Sequence, residues 1–181
     1  MTSLSLFCLI IEWLNLFLDA YSRMLIKKSL LLSLLMTLML CIQGVSYAAN
    51  SFVLKDMAGK KHTLAQYKGK WVIVNYWATW CPPCLEEVPD LVALYDSRKN
   101  KDLIVLGVAF DYQDAKEVSD YVNDMLISYP IVLGDDDTMK QIGFSDTLPT
   151  SYIYNPRGEL VKIKHGLVTK SYLDSILVRE K

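Results

Sequence analysis

Two thiols and two prolines in the order Cys81-Pro82-Pro83-Cys84 are the residues of this chain best suited to chemistry, and that chemistry is thiol–disulfide exchange. A thiolate attacks a disulfide sulfur, a mixed disulfide forms, and a second thiol close by displaces the first. Cys8 and Cys41 lie in an apolar amino-terminal stretch that reads as a leader, so Cys81 and Cys84 are the only thiols left to the remainder. A bridge across two residues closes too small a loop to restrain the unfolded chain much, which points to a reactive pair rather than a structural one. Pro82 and Pro83 stiffen the loop, remove two backbone donors and hold the sulfurs near bonding distance.

The pair stands where a buried strand meets an amphipathic helix. Trp71-Val72-Ile73-Val74-Asn75-Tyr76-Trp77 is β-branched and aromatic without clean alternation, as expected of a central strand covered on both faces. From Cys84 onward Leu85, Val88, Leu91, Val92 and Tyr95 recur at helical spacing. Unpaired N–H groups and the dipole at this helix end are expected to favour negative charge on Cys81 and lower its pKa. A fall from about 8.5 to about 7 raises the thiolate fraction some ~16-fold, while a Brønsted slope near 0.5 takes back about fivefold. The net gain in attack is about threefold, so the shift matters as much for making Cys81 a good leaving group when Cys84 resolves the intermediate. Cys84 is expected to be the more buried sulfur and must lose its proton. Glu87, three residues further along the helix, can accept that proton through water; the plainer reading is that Glu86 and Glu87 only decorate a first turn that favours acids.

Around this junction the pattern alternates strands and helices. Phe52–Lys55 and Lys61–Leu64 flank Asp56-Met57-Ala58-Gly59 as a hairpin. Leu103–Phe110 reads as a second buried strand, and Asp114 caps a helix carrying Val118, Tyr121, Val122 and Met125. Ile131–Leu133 is a short strand, and Asp135–Asp137 begins a helix to Ile142. Ser151–Tyr154 and Glu159–Lys164 are strands joined by Asn155-Pro156-Arg157-Gly158, and Thr169–Val178 is a last amphipathic helix. The sum is an α/β fold, a three-layer α/β/α domain around a mixed sheet.

Residues 1–48 read as a separate leader and 49–181 as the domain. Met24 with Lys27 and Lys28, a Leu-rich run from Ser29 to Ile42, and the small residues Ser46 and Ala48 follow the order of a secretory signal cleaved after Ala48. The alternative is an uncleaved anchor, because the apolar run is near the lower length for crossing a bilayer. A lipid-modified Cys41 is disfavoured by the bulky Leu40 before it. Residues 1–23, interrupted by Glu12 and Asp19, read as a start-site extension whose rival is a second membrane-associated helix. Removing Arg23, Lys27 and Lys28 from 19 basic residues, and Glu12 and Asp19 from 20 acidic ones, leaves the domain nearly neutral, which argues against nucleic acid as a partner.

By these residues the chain resembles the extracytoplasmic TlpA/ResA-like branch of the thioredoxin superfamily from about Ser51 to its end. The resemblance rests on Val72-Ile73-Val74-Asn75-Tyr76-Trp77, Ala78-Thr79-Trp80-Cys81-Pro82-Pro83-Cys84, Glu87, Pro89, Leu148-Pro149-Thr150 and Asn155-Pro156-Arg157-Gly158. It implies a thioredoxin-like fold without a cofactor, in which Cys81 attacks, Cys84 resolves and Glu87 assists. Pro89 corresponds to a proline that kinks the active-site helix. An X-Pro bond is trans by default, but the resemblance implies that Pro149 is cis, faces the dithiol and presents Leu148 backbone to a peptide substrate. Trp80 is expected to line the substrate surface with Pro82 and Pro83. Asn75 stands where cytoplasmic thioredoxins carry a buried aspartate, which shifts proton handling to Glu87. His62 and His165, isolated in the sequence, read as surface or strand residues.

Three functions follow. The first is a reductase of client disulfides, with clients such as apocytochrome c or proteins of oxidase assembly implied by the resemblance, recharged by a membrane thiol electron donor. The second is the same centre run backwards as a disulfide donor or isomerase. The third is a metal-binding module, such as a copper chaperone, using Cys81 and Cys84 as soft ligands; no second ligand pair is suitably spaced for it. A peroxidase is weaker still, because no proline and threonine precede Cys81 in the required frame.

Overall fold

The computed structural model describes residues 51–179, so the expectations for the leader, for cleavage after Ala48 and for a membrane tether lie outside the described residues. Strands β1 (Val53–Lys55) and β2 (Lys61–Thr63) form the expected hairpin, in which Gly59 takes the turn at φ 85°. A 3-10 turn over Leu64–Tyr67, which no apolar period announces, leads into β3 (Trp71–Trp77). Then follow α1 (Pro82–Arg98), β4 (Leu103–Ala109), α2 (Ala115–Asp124), β5 (Ile131–Leu133), α3 (Asp136–Ile142), β6 (Thr150–Tyr154), β7 (Leu160–His165) and α4 (Lys170–Arg179).

The main sheet has five strands in the order β5-β4-β3-β6-β7. β3 is parallel to β4 and antiparallel to β6, so the sheet is mixed, as the sequence pattern predicts. Both faces of β3 are covered, and all seven of its residues are buried. Side chains alternate along a strand, so Trp71, Ile73, Asn75 and Trp77 face one layer while Val72, Val74 and Tyr76 face the other. The first layer is packed by Val88, Leu91 and Leu94 of α1, Val118 of α2, and Leu173 and Leu177 of α4. The second is packed by Phe52 and Leu54 of the hairpin, Leu64, and Ile142 of α3.

Local chemistry fixes the helix ends. Asp114 accepts the Glu117 amide at 2.8 Å to cap α2, and Asp135 with Thr138 forms a reciprocal capping box on α3. Pro89 sits inside α1, on its exposed side. Gly107 lies on β4 under crowding: an added Cβ would come 2.7 Å from Ile131 Cδ1 and 2.9 Å from Tyr129 Cε2. His62 is a strand histidine but not a surface one. It is fully buried, with Nε2 2.8 Å from Asp56 Oδ2 and Nδ1 bonded to the Tyr67 hydroxyl. His165, at the end of β7, is exposed and bonds Thr150 Oγ1 through Nδ1 at 3.0 Å.

Candidate active site

The site forms where β3 ends and α1 begins. Cys81 is the N-cap of α1 with extended backbone, φ −93° and ψ 103°, and Pro82 and Pro83 fill the first two helical positions. A missing N–H does no harm there, because a helix leaves those donors unpaired. Cys81 and Cys84 are joined as a disulfide with Cα atoms 5.3 Å apart, so the centre is in its oxidised state.

The unpaired amides expected to face Cys81 are absent. Pro82 and Pro83 have none, and the Cys84 and Leu85 amides donate to the Cys81 carbonyl at 3.0 and 3.2 Å. The Cys81 amide itself donates to Ala78 O at 3.2 Å. What this helix end offers the Cys81 sulfur is the dipole, about 1 to 2 kcal/mol at best.

Both cysteines are buried, Cys84 at 0% and Cys81 at 3% exposure, and the difference between them is that Cys81 alone lines a groove of about 400 Å³. Trp80, Pro82, Pro83 and Leu148, all singled out in the sequence, line the same groove. Trp80 is 58% exposed and held by its indole Nε1, which donates to Asp111 O at 3.0 Å. The Leu148–Pro149 bond is cis, and Pro149 O accepts the Gly166 amide at 2.8 Å.

Glu87 lies three residues beyond Cys84 on α1 and is not among the groove residues. It is 1% exposed, in a helix whose other buried positions are apolar or Cys84. Asn75 Nδ2 donates to Oε1 at 2.7 Å, and the Val168 amide donates to Oε2 at 2.9 Å. Asn75 reaches it because odd-numbered β3 residues face α1, and the same amide donates to Ser151 Oγ at 3.1 Å across the β3–β6 register. Burial pushes the Glu87 carboxyl up to about 7; the two hydrogen bonds and the Lys164 charge pull the other way without cancelling it. Glu87 does not merely decorate a first turn: it is a buried acid poised near neutrality.

Five groove residues were not singled out in the sequence: Phe110, Asp111, Met139, Ser145 and Asp146. Ser145 and Asp146 could have been found from Leu148, since they stand three and two residues before it in the same segment. Asp111 carries no such signal; its φ of 51° is visible only in the structure. Among the described residues, no group of three or more His, Cys, Asp or Glu is placed to hold a metal ion. None of the described helices is long and apolar enough to cross a membrane.

A mixed sheet flanked by helices, with a Cys-x-x-Cys disulfide opening a helix and a cis proline nearby, defines the class of thioredoxin-like thiol–disulfide oxidoreductases. The sequence matches the AhpC/TSA family over residues 45–163, and the chain belongs to that family within the thioredoxin superfamily. It is 31% identical over 162 residues to the thiol-disulfide oxidoreductase ResA of Bacillus subtilis, covering 83% of this chain and 89% of that protein. A thiol:disulfide interchange protein from Chlorobium tepidum superposes with a TM-score of 0.64 at 29% identity, over 70% of this chain and 90% of that one. The exposed lipoprotein thioredoxin Etrx1 of Streptococcus pneumoniae gives 0.59 at 25% identity, over 70% and 97%.

Proposed function

We propose that this chain is an exported protein-disulfide reductase in which Cys81 attacks the client disulfide, Cys84 resolves the mixed disulfide, and Glu87 takes up the Cys84 proton. The carrying observation is the asymmetry of the centre: Cys81 lines the groove, while Cys84 does not and is followed three residues along the helix by a buried acid with a pKa of about 7. In the reduced protein, Cys81 thiolate forms a bond to one client sulfur and the client disulfide breaks, its other sulfur leaving as thiolate. Cys84, deprotonated toward Glu87, then bonds to Cys81 Sγ and expels the second client thiolate. The client gains two electrons and the centre returns to the disulfide observed. Trp80, Pro82, Pro83, Leu148 and Pro149 form the surface against which the client segment lies.

Such a dithiol needs an electron donor, which in an oxidising compartment must be a membrane thiol protein. Clients in cytochrome c maturation or oxidase assembly are the class suggested by resemblance to ResA-type proteins. The signal-like order of residues 24–48 supports export, and an exposed lipoprotein among the structural neighbours is consistent with an extracytoplasmic site of action. The test is stoichiometric: pre-reduced protein mixed with a peptide carrying one disulfide is expected to lose its dithiol as the peptide gains two thiols. An equilibrium potential in the range of thioredoxin, about −270 mV, supports reduction, whereas one near about −120 mV assigns disulfide donation instead.

A further inference from the structure

The groove that Cys81 lines has two acids in its wall, Asp111 and Asp146, and no base. Its apolar lining includes Trp80, Phe110, Met139 and Leu148. Asp111 lies on the Trp80 side, tied to that indole through its own carbonyl, and Asp146 lies on the Leu148 side, two residues before Leu148. No Lys, Arg or His lines the groove. The neighbouring acids are engaged: Asp114 caps α2, and Glu117 accepts from the Thr79 hydroxyl and from the Gln113 amide at 2.8 Å. Among the described residues, Asp111 and Asp146 enter no ion pair, and the one side-chain donor to Asp146 is its neighbour Thr147, at 3.1 Å. Reduction adds a third anion to the same groove when Cys81 becomes a thiolate.

Two uncompensated carboxylates in the wall of an apolar groove repel an acidic segment and attract a basic one. We propose that the groove selects client disulfides whose attacked cysteine is flanked by Lys or Arg. The occupant is an extended client segment with a cationic side chain at Asp111 or Asp146 and an apolar one against Phe110 and Leu148. This inference rests on the reductase reading above and adds the class of substrate. The cation takes no part in the bond changes of the exchange and only raises the rate of the first attack.

The experiment is a single-turnover reaction of the pre-reduced full chain with disulfide peptides identical except for Lys or Glu beside each cysteine, with neutral 2-hydroxyethyl disulfide as control. At low salt the Lys peptide is expected to react about fivefold or more faster than the Glu peptide, the scale of a few exposed ion pairs. The ratio is expected to approach unity at high salt and to fall severalfold in the D111N/D146N variant, where the Cys81 thiolate is the one groove anion left to draw the cation. Asn is chosen because, like Asp, it tolerates the left-handed backbone that residue 111 adopts. Equal rates for the two peptides, or a preference undiminished in D111N/D146N, overturns the inference while leaving the reductase reading intact. Failure to reduce the neutral disulfide overturns the reductase reading itself, and the inference with it.

Discussion

Glu87 is the residue whose environment makes the sharpest prediction. Its carboxyl, at 4.5 in an open chain, is held up to about 7 by burial in the oxidised protein. Folding therefore takes up a proton between those values, so this contribution to stability is complete below about 4.5 and lost as pH rises through about 7. The span is worth about 3 kcal/mol at most. Urea unfolding of the oxidised protein across pH is expected to show that fall, and Glu87→Gln is expected to remove it; identical slopes in both would exclude Glu87 as the titrating group. In the reaction, the resolving step is expected to quicken with pH through about 7 and to lose that dependence in Glu87→Gln. Glu87 and Asn75 were both legible before the fold was known, one from its spacing to Cys84 and the other from its place in the strand. Their contact was not. It depends on strand parity and on the angle at which α1 crosses the sheet, and neither is written in a single segment.

At the scale of elements, periodicity and caps carried the reading. The hairpin, β3, β4 and the caps of α2 and α3 fall where apolar patterns and Asp114 and Asp135 place them. The 3-10 turn at Leu64–Tyr67 escaped because so short an element has no period to detect. At the start of α1 the loss of two donors to Pro82 and Pro83 is legible in the sequence, but the capture of the Cys84 and Leu85 amides by the Cys81 carbonyl is not. Asp114→Ala is expected to lower stability by about 1 kcal/mol through loss of the α2 cap, measured by chemical unfolding. Gly107→Ala, on the buried face of β4 against Ile131 and Tyr129, is expected to cost about 1 to 3 kcal/mol by overpacking, and a neutral result would show that those side chains can yield.

For the molecule as a whole, sequence pattern gave the class of fold because layers follow from which strand faces are apolar. The groove did not follow, since Trp80, Phe110, Met139 and Asp146 come from four separate segments that only the tertiary fold unites. Amino-terminal sequencing of the native protein is expected to start at Ala49; a start at Met1 or Met24 on membrane-bound protein would instead identify an anchor. The division of labour between the two sulfurs is tested most directly by trapping. With a disulfide client, Cys84→Ser is expected to accumulate a mixed disulfide through Cys81 that mass spectrometry can locate, while Cys81→Ser is expected to give neither adduct nor turnover. Adducts accumulating on Cys84 in the Cys81→Ser protein, with none on Cys81 in the converse variant, would contradict the account.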